Sequence, residues 1–161
     1  MPESELPESE STPREPSAEP APLAEPAPLA EPAMRALGDE TYVSLRSFKR
    51  DGGHVDTPVW VASVEGRLLA FTDETTYKVK RIRRNADVEL AACSMRGEVS
   101  GPWHPLSARI VDGELEFATR AYRVFGRKYG FLYWALTATS RLTGALKRRV
   151  VLEFSPRGAA S

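Results

Sequence analysis

One segment of the chain, residues 57–85, constrains the fold more than any other. Its sequence, TPVWVASVEGRLLAFTDETTYKVKRIRRN, contains two apolar stretches joined by a Glu65-Gly66 turn and ends in a strongly basic stretch. The apolar run at 68–71 is short and bounded by polar residues, as in a buried strand, and Thr72-Asp73 supplies the start signals of a helix. The segment is therefore predicted to be a β-hairpin followed by a short basic helix.

The start of this predicted helix has the features of an anion site. Thr75, Thr76 and Lys78 fall in or near its first turn. Free backbone N–H groups, hydroxyls and an ammonium group all favour negative charge there, and a basic residue so early in a helix is unfavourable unless an anion is near. Asp73 and Glu74 would repel a phosphate unless their side chains turn to solvent. A phosphorylated ligand is one interpretation, and a solvated basic helix face is the other.

Turn signals divide the rest of the chain into further short elements. Alternation of apolar and polar residues predicts strands over residues 42–48 and 54–63, with Asp51-Gly52-Gly53 as the turn between them. Further strands are expected over residues 87–93, 106–111 and 147–154, and helical spacing predicts helices over residues 114–129 and 131–146. About six strands with peripheral helices predict a mainly β fold, a small antiparallel barrel.

The first 33 residues differ in composition from everything that follows. They hold nine of the thirteen prolines, eight Glu and one Arg, with short repeats of APLAEP and PESE. Such a segment buries too little apolar surface to offset its ordering entropy, so residues 1–33 are expected to be a disordered tail. The folded domain is expected over residues 34–156, with a flexible C-terminus at 157–161.

Charge and cysteine content narrow the ligands and the cellular compartment that are expected for this protein. Outside the tail, 21 Lys and Arg face 14 Asp and Glu, a net charge of +7, which favours an acidic ligand. The single cysteine, Cys93, cannot form an internal disulfide, and no apolar run approaches the roughly 20 residues of a membrane span. The tail lacks the apolar core of a signal peptide. A cytoplasmic protein without membrane contacts is expected.

Three groups of motifs carry a resemblance to a known family. Thr72, Thr76-Tyr77-Lys78 and Asn85 fall in register with the phosphate motif of the pyridoxamine 5'-phosphate oxidase-like superfamily of flavin and deazaflavin enzymes. The TPVW strand at 57–60, the KVKRIRRN helix and a later Gly101-Pro102 resemble the subgroup that depends on coenzyme F420, a deazaflavin. Several motifs in the right order, over roughly residues 34–154, are more specific than any one alone.

The resemblance implies a fold, a cofactor and a site. It implies a split β-barrel, usually a homodimer with cofactor sites at the subunit interface, and an oxidoreductase that passes hydride from reduced F420 to a small unsaturated acceptor. It places the phosphate of the cofactor at Thr72, Thr76 and Lys78, with Tyr77, Lys80 and Arg81 beside it. The ring would lie against Thr57, Pro58, Val59 and Trp60, with Gly101 and Pro102 at its border. No acid or base is identified among the side chains.

Two residues depart from the family pattern. Ala86 stands where a proline usually follows Asn85, and Tyr77 stands where the flavin-type oxidases often have arginine. The second departure removes a phosphate donor and weakens the hypothesis of FMN binding. A carrier that binds F420 or a haem-like ligand without turnover is a further hypothesis, since a fold does not fix a function. Nucleic-acid binding through the basic helix is not expected, because stacking aromatic residues are few.

The remaining reactive residue types have ordinary interpretations. Trp60 and Trp103 can wall a cofactor ring or simply be core residues. His54 and His104 lack metal-ligand spacing, so no metal site is expected. Cys93 ends an apolar strand, as a core thiol does. The chain contains no GxSxG, P-loop or GxGxxG sequence, which removes the usual support for a serine hydrolase, an NTPase or a Rossmann domain.

Overall fold

The computed structural model describes residues 31–111 and 114–158, and it shows a closed antiparallel β-barrel with three α-helices. The strands are β1 (Tyr42–Phe48), β2 (His54–Val64), β3 (Arg67–Asp73), β4 (Asp87–Ala92), β5 (His104–Val111) and β6 (Arg149–Pro156). The helices are α1 (Glu31–Asp39), α2 (Tyr77–Arg84) and α3 (Leu115–Leu142), and a short 3-10 helix, Ala145–Arg148, precedes β6. The predicted mainly β split-barrel fold is confirmed.

The barrel closes because its last strand fits between two earlier ones. The strand order is β1-β2-β3-β6-β5-β4, and β4 returns to pair with β1. Strand β6 pairs with β3 from Leu68↔Phe154 to Asp73↔Arg149, and with β5 from Leu106↔Pro156 to Val111↔Val151. All six pairings are antiparallel. Each of the six described strands therefore has a neighbour on both sides, as closure of a barrel requires.

Two apolar clusters hold the molecule together. The alternating residues of the strands fill the barrel interior, where Leu45, Leu90 and Leu152 are fully buried. A second cluster lies between the outside of β2, β3 and β6 and the helix α3, centred on Phe125. This second cluster positions α3 against β2 and β3, which carry residues that the sequence assigns to the cofactor.

Helix α3 is two helices that meet at Gly130. Gly130 has a φ of 53° and a ψ of −132°, a conformation that a side chain would strain. The sequence predicts this break, because it places separate helices over residues 114–129 and 131–146. The second half ends earlier than predicted, at Leu142.

A clip of hydrogen bonds fastens α3 to the barrel just before this break. The Lys128 ammonium group donates to the carbonyl oxygens of Gly38, Glu40 and Val61 at 2.6, 2.6 and 2.7 Å. The Tyr129 hydroxyl lies 2.7 Å from the Thr41 carbonyl oxygen and accepts a 3.0 Å bond from the Val61 N–H. These contacts join α3 to β2 and to the α1–β1 connection.

Some predicted boundaries were wrong. Helix α2 begins at Tyr77 and not near Thr72, because β3 runs on to Asp73 and the next residues form a turn. Helix α1 was not predicted, and its first residues, 31–33, fall in the segment assigned to the tail. The rest of that segment, residues 1–30, and the last three of the predicted C-terminus lie outside the described residues. None of the three helices is a candidate for crossing a bilayer.

Candidate functional site

A cavity of about 360 Å³ lies between the barrel and the second half of α3. Strands β1, β2, β3 and β6 contribute one side, the start of α2 contributes one end, and α3 contributes the other side. The lining residues are Tyr42, Pro58, Val59, Trp60, Phe71, Thr72, Asp73, Lys78, Tyr133, Leu136, Thr137, Ser140 and Arg149. The cavity thus combines apolar surface, hydroxyl groups, one carboxylate and two cationic side chains.

Aromatic rings form the barrel side of the cavity. Trp60 stacks on Tyr129 with ring centroids 4.4 Å apart and an angle of 12° between the planes. Phe71 stacks on Tyr122 at 4.6 Å and meets Phe125 edge to face at 4.4 Å. Because α3 supports both rings from one side, their orientation is fixed before any ligand arrives. A planar heterocycle fits such a wall.

Lys78 provides the positive charge at the α2 end. It is the second residue of the helix and is partly buried, and no described residue accepts a hydrogen bond from its ammonium group. Burial lowers the pKa of Lys78, the nearby Arg81 lowers it further, and Asp73 acts in the opposite direction. A partly desolvated ammonium without an acceptor, at a helix N-terminus, is suited to an anion.

The two acidic residues near Lys78 have other partners, although Asp73 itself lines the cavity. The Asp73 carboxylate accepts bonds from the Thr75 N–H at 2.8 Å and the Thr75 hydroxyl at 2.6 Å. These bonds are the main cause of its lowered pKa, and Arg148 lies 3.4 Å away and adds to it. Glu74 pairs with Arg83 at 2.8 Å on the exposed side of α2. The repulsion that these acids would exert on a phosphate is therefore reduced.

The α3 side of the cavity carries polar groups at helical spacing. Tyr133, Thr137 and Ser140 lie at i, i+4 and i+7, so they share one face. Arg149 donates to the Ser140 hydroxyl at 3.3 Å. Burial raises the pKa of Tyr133, while Arg149 and Thr137 act in the opposite direction. The Thr137 hydroxyl is buried without a hydrogen bond of good geometry to any described residue, so a polar ligand atom has a group to meet there.

The structure brings five of the twelve predicted site residues into this cavity. They are Pro58, Val59, Trp60, Thr72 and Lys78. Thr57 lies next to them on β2, opposite Leu45 of β1, and is not part of the lining. Gly101 and Pro102 lie in the β4–β5 connection, where Gly101 packs against Ala92.

The other predicted site residues on or next to α2 do not line the cavity. The Thr76 hydroxyl donates to the Asp73 carbonyl oxygen at 2.8 Å, so it closes the turn before the helix. Tyr77 is 74% exposed, with the Lys80 ammonium 5.1 Å from the centre of its ring. The Arg81 side chain crosses to β1 and donates to the Ser47 hydroxyl at 2.8 Å. In this arrangement Lys78 is the α2 cation that lines the cavity.

Sequence reasoning missed the α3 and β6 contributions. Tyr133, Thr137 and Ser140 carried a readable signal, since their spacing at i, i+4 and i+7 places three hydroxyl groups on one face of an apolar-rich helix. Arg149 carried none, because it reaches the cavity through pairing with Asp73, far away in the sequence. Phe71 was predicted as a buried strand residue. Its ring reaches the cavity because of where α3 packs, which the local sequence does not show.

Several residues of reactive type lie outside the cavity. Trp103 lies beneath the Arg46 guanidinium, 3.8 Å from its ring centre. Cys93 is buried, and burial raises the pKa of its thiol. His54 is exposed on β2 near Asp56, and His104 begins β5. Within residues 31–111 and 114–158, no group of three or more His, Cys, Asp or Glu side chains is arranged to hold a metal ion.

Comparison with solved structures shows the fold of this chain in several bacterial proteins. The heme storage protein HutZ from Vibrio cholerae is 12% identical, with a TM-score of 0.57, over 80% of this chain and 91% of that chain. A putative pyridoxamine 5'-phosphate oxidase from Listeria innocua is 15% identical, with a TM-score of 0.55, over 79% and 93%. A conserved hypothetical protein from Mycobacterium tuberculosis is 17% identical, with a TM-score of 0.56, over 78% and 79%.

These likenesses concern the fold. No family model matches the sequence, and no curated protein matches it either. The similar structures carry different descriptions, one of heme storage and one of an oxidase, so the shared barrel does not by itself select a ligand.

Proposed function

We propose that the protein binds coenzyme F420 in the cavity between β2, β3 and α3 and acts as an F420-dependent oxidoreductase. The observation that carries this proposal is the partly buried Lys78 ammonium, without an acceptor among the described residues, at one end of an aromatic-walled cavity. The motif resemblance of residues 57–85 supports the choice of a deazaflavin. The reaction would pass hydride from the reduced cofactor to a small unsaturated acceptor.

The cavity residues divide into two tasks. Lys78 and the Thr72 hydroxyl would hold the phosphate, and Arg149 adds a second positive charge on β6. The backbone of residues 58–60 and the rings of Trp60 and Phe71 would hold the ring system. When bound, the deazaflavin supplies the hydride chemistry, and the chain supplies position, charge and shielding from water. No side chain of the cavity is needed as an acid or base for this task.

FMN binding is the first alternative. The same cavity offers the same phosphate contacts, so the fold does not separate the two cofactors. Tyr77 stands where flavin-type oxidases often have arginine, and its side chain is 74% exposed. The described part of α2 thus offers no second cation at the phosphate end of the cavity, and this favours F420 over FMN.

A carrier of F420 or of a haem-like ligand is the second alternative. The similar fold of HutZ, described as a heme storage protein, is the observation that favours it. Haem iron needs an axial ligand, most often from His, Cys, Met or Tyr. Among the described residues, the cavity lining contains no His, Cys or Met, although Tyr42 and Tyr133 belong to it. Haem binding would therefore depend on a tyrosine.

We further propose a homodimer. The second half of α3 presents large apolar side chains to solvent, since Phe131 is 87%, Leu132 48% and Leu142 90% exposed. Large exposed apolar patches are typical of protein–protein interfaces. A second copy of the chain would cover this face, and the family resemblance implies the same partner.

A direct titration tests the proposal. Purified protein is titrated with F420, FMN and haem under the same conditions, and binding is followed by calorimetry together with cofactor absorbance. F420 should bind more tightly than FMN, and reduced F420 should be oxidised when unsaturated acceptors are added. Tighter binding of FMN would move the assignment to the flavin alternative. Binding of F420 without any turnover would favour the carrier, and haem binding alone would contradict the proposal.

A further inference from the structure

A second surface groove lies beside the cavity, between the two halves of α3. The helix breaks at Gly130, and residues from its two halves line a groove of about 640 Å³. Its lining residues are Thr119, Tyr122, Arg123, Gly126, Arg127, Tyr133, Trp134, Thr137 and Arg141. Tyr133 and Thr137 also line the first cavity, so the two hollows share a wall.

Three arginines converge on this groove. Arg123 and Arg127 are four residues apart on the first half of α3, a spacing at which like charges repel, and Arg141 comes from the second half. No described residue pairs with any of the three guanidinium groups, and no acidic residue of the described chain lines the groove.

Three other cations near or on the helical side of the barrel have partners. Arg120 binds Glu65 at 2.7 Å, Arg148 lies 3.4 Å from Asp73, and Lys128 is saturated by three carbonyl oxygens. The groove is thus a local concentration of unpaired positive charge within the part of the chain that the structure describes.

The remaining surface of the groove is aromatic. Trp134 is 61% exposed, and Tyr122 and Tyr133 lie beside it. Gly126 lies against the Tyr133 ring, where a Cβ atom would be in ordinary contact with the ring at 3.5 Å. Flat rings next to guanidinium groups suit a ligand that has an apolar, planar body and an anionic group.

We propose that this groove is a binding site for an anionic aromatic or conjugated molecule, with its carboxylate or sulfonate on the arginines and its planar body on Trp134. The shared wall of Tyr133 and Thr137 places such a ligand next to the contents of the first cavity. The binding site does not depend on the proposed function.

Calorimetric titration of the full-length protein with 2-naphthoate, and with its neutral isostere 2-naphthamide, tests the site. Naphthoate should bind more tightly than the amide by about tenfold, because a charge-assisted contact is added to the same apolar contact. Arg127→Gln and Arg141→Gln should each weaken naphthoate binding by roughly 5- to 30-fold. Arg96→Gln removes one charge from an exposed turn between β4 and β5 that is not part of the groove lining, and it should change the affinity less than about twofold.

Three outcomes would overturn the proposal. They are equal affinities for the acid and the amide, a loss of affinity in Arg96→Gln as large as in the groove variants, and no binding of naphthoate at millimolar concentration.

The Lys78→Ala variant separates the two sites, since it should weaken the binding of F420 and leave the binding of naphthoate unchanged. A loss of naphthoate binding in this variant would place the molecule in the first cavity and remove the groove site. A failure to bind F420 would leave the naphthoate result standing.

Discussion

Replacing Lys78 with alanine should weaken cofactor binding strongly while leaving the fold intact. The ammonium group is partly buried and has no acceptor among the described residues, so its interaction energy is available to a ligand. A hydrogen bond to a charged group contributes about 1.5–3 kcal/mol. The middle of that range, about 2 kcal/mol, corresponds to a loss of roughly 30-fold in affinity. The free energy of unfolding should change by about 0.5 kcal/mol or less, because an unpaired, partly desolvated charge stabilises the empty protein little.

Arg83→Ala is the matched control on the same helix. It removes the same charge, but Arg83 is exposed and pairs with Glu74, away from the cavity. An exposed ion pair contributes only about 0–1 kcal/mol to stability, and its loss should leave the affinity nearly unchanged. Calorimetric titration of F420 into wild type and both variants gives the three dissociation constants. Equal losses in the two variants would mean that the helix attracts the cofactor only through diffuse charge, and no loss in Lys78→Ala would refute the phosphate site.

Four further outcomes are expected from the same geometry. A bound phosphate should raise the pKa of Lys78, which burial lowers in the empty protein. The affinity should therefore fall as the pH rises from the pKa of the empty protein to the pKa of the complex, with proton uptake on binding in that window. Calorimetry of Lys78→Met should show a flat pH profile. Tyr129→Phe should lower the free energy of unfolding in urea by about 1–3 kcal/mol, because it leaves the partly buried Val61 N–H without its acceptor. An unchanged urea midpoint would argue against a stabilising role of the hydrogen bonds that join α3 to the barrel. Light scattering should give the mass of a dimer at micromolar concentration, and a monomer would count against a site completed by a second subunit. Deleting residues 1–30 should shift the melting temperature by no more than a degree or so, unless the acidic tail docks on the domain.

The sequence predicted most of the barrel because each strand carries its own local signal. Alternation and the Gly-containing turns located β1, β2 and β5 to within two residues, and the apolar run at 68–71 located β3. The start of α2 was misplaced because Thr72 and Asp73 resemble a helix start, whereas β6 extends the strand by pairing with them. That pairing is a long-range interaction, and no local pattern contains it.

The candidate site was also predictable only where its residues are close together in the sequence. The half of the cavity formed by residues 58–60, Thr72 and Lys78 lies in one continuous segment, where a motif can describe it. The half formed by α3 and Arg149 is brought in by the packing of a kinked helix and by the closure of the barrel. Both depend on where distant parts of the chain meet. Within this half, helical periodicity alone would have found Tyr133, Thr137 and Ser140 of α3.

The position of β6 between β3 and β5 also has a consequence for how the protein is made. During synthesis the first five strands emerge with two open edges, β3 on one side and β5 on the other, and these edges can pair with other chains. Only when residues 149–156 have left the ribosome can the last strand cover both edges at once. Ribosomes stalled before β6 should therefore carry a chain that is sensitive to protease and prone to aggregation, and release of this single strand should complete the barrel and the β6 wall of the cavity together.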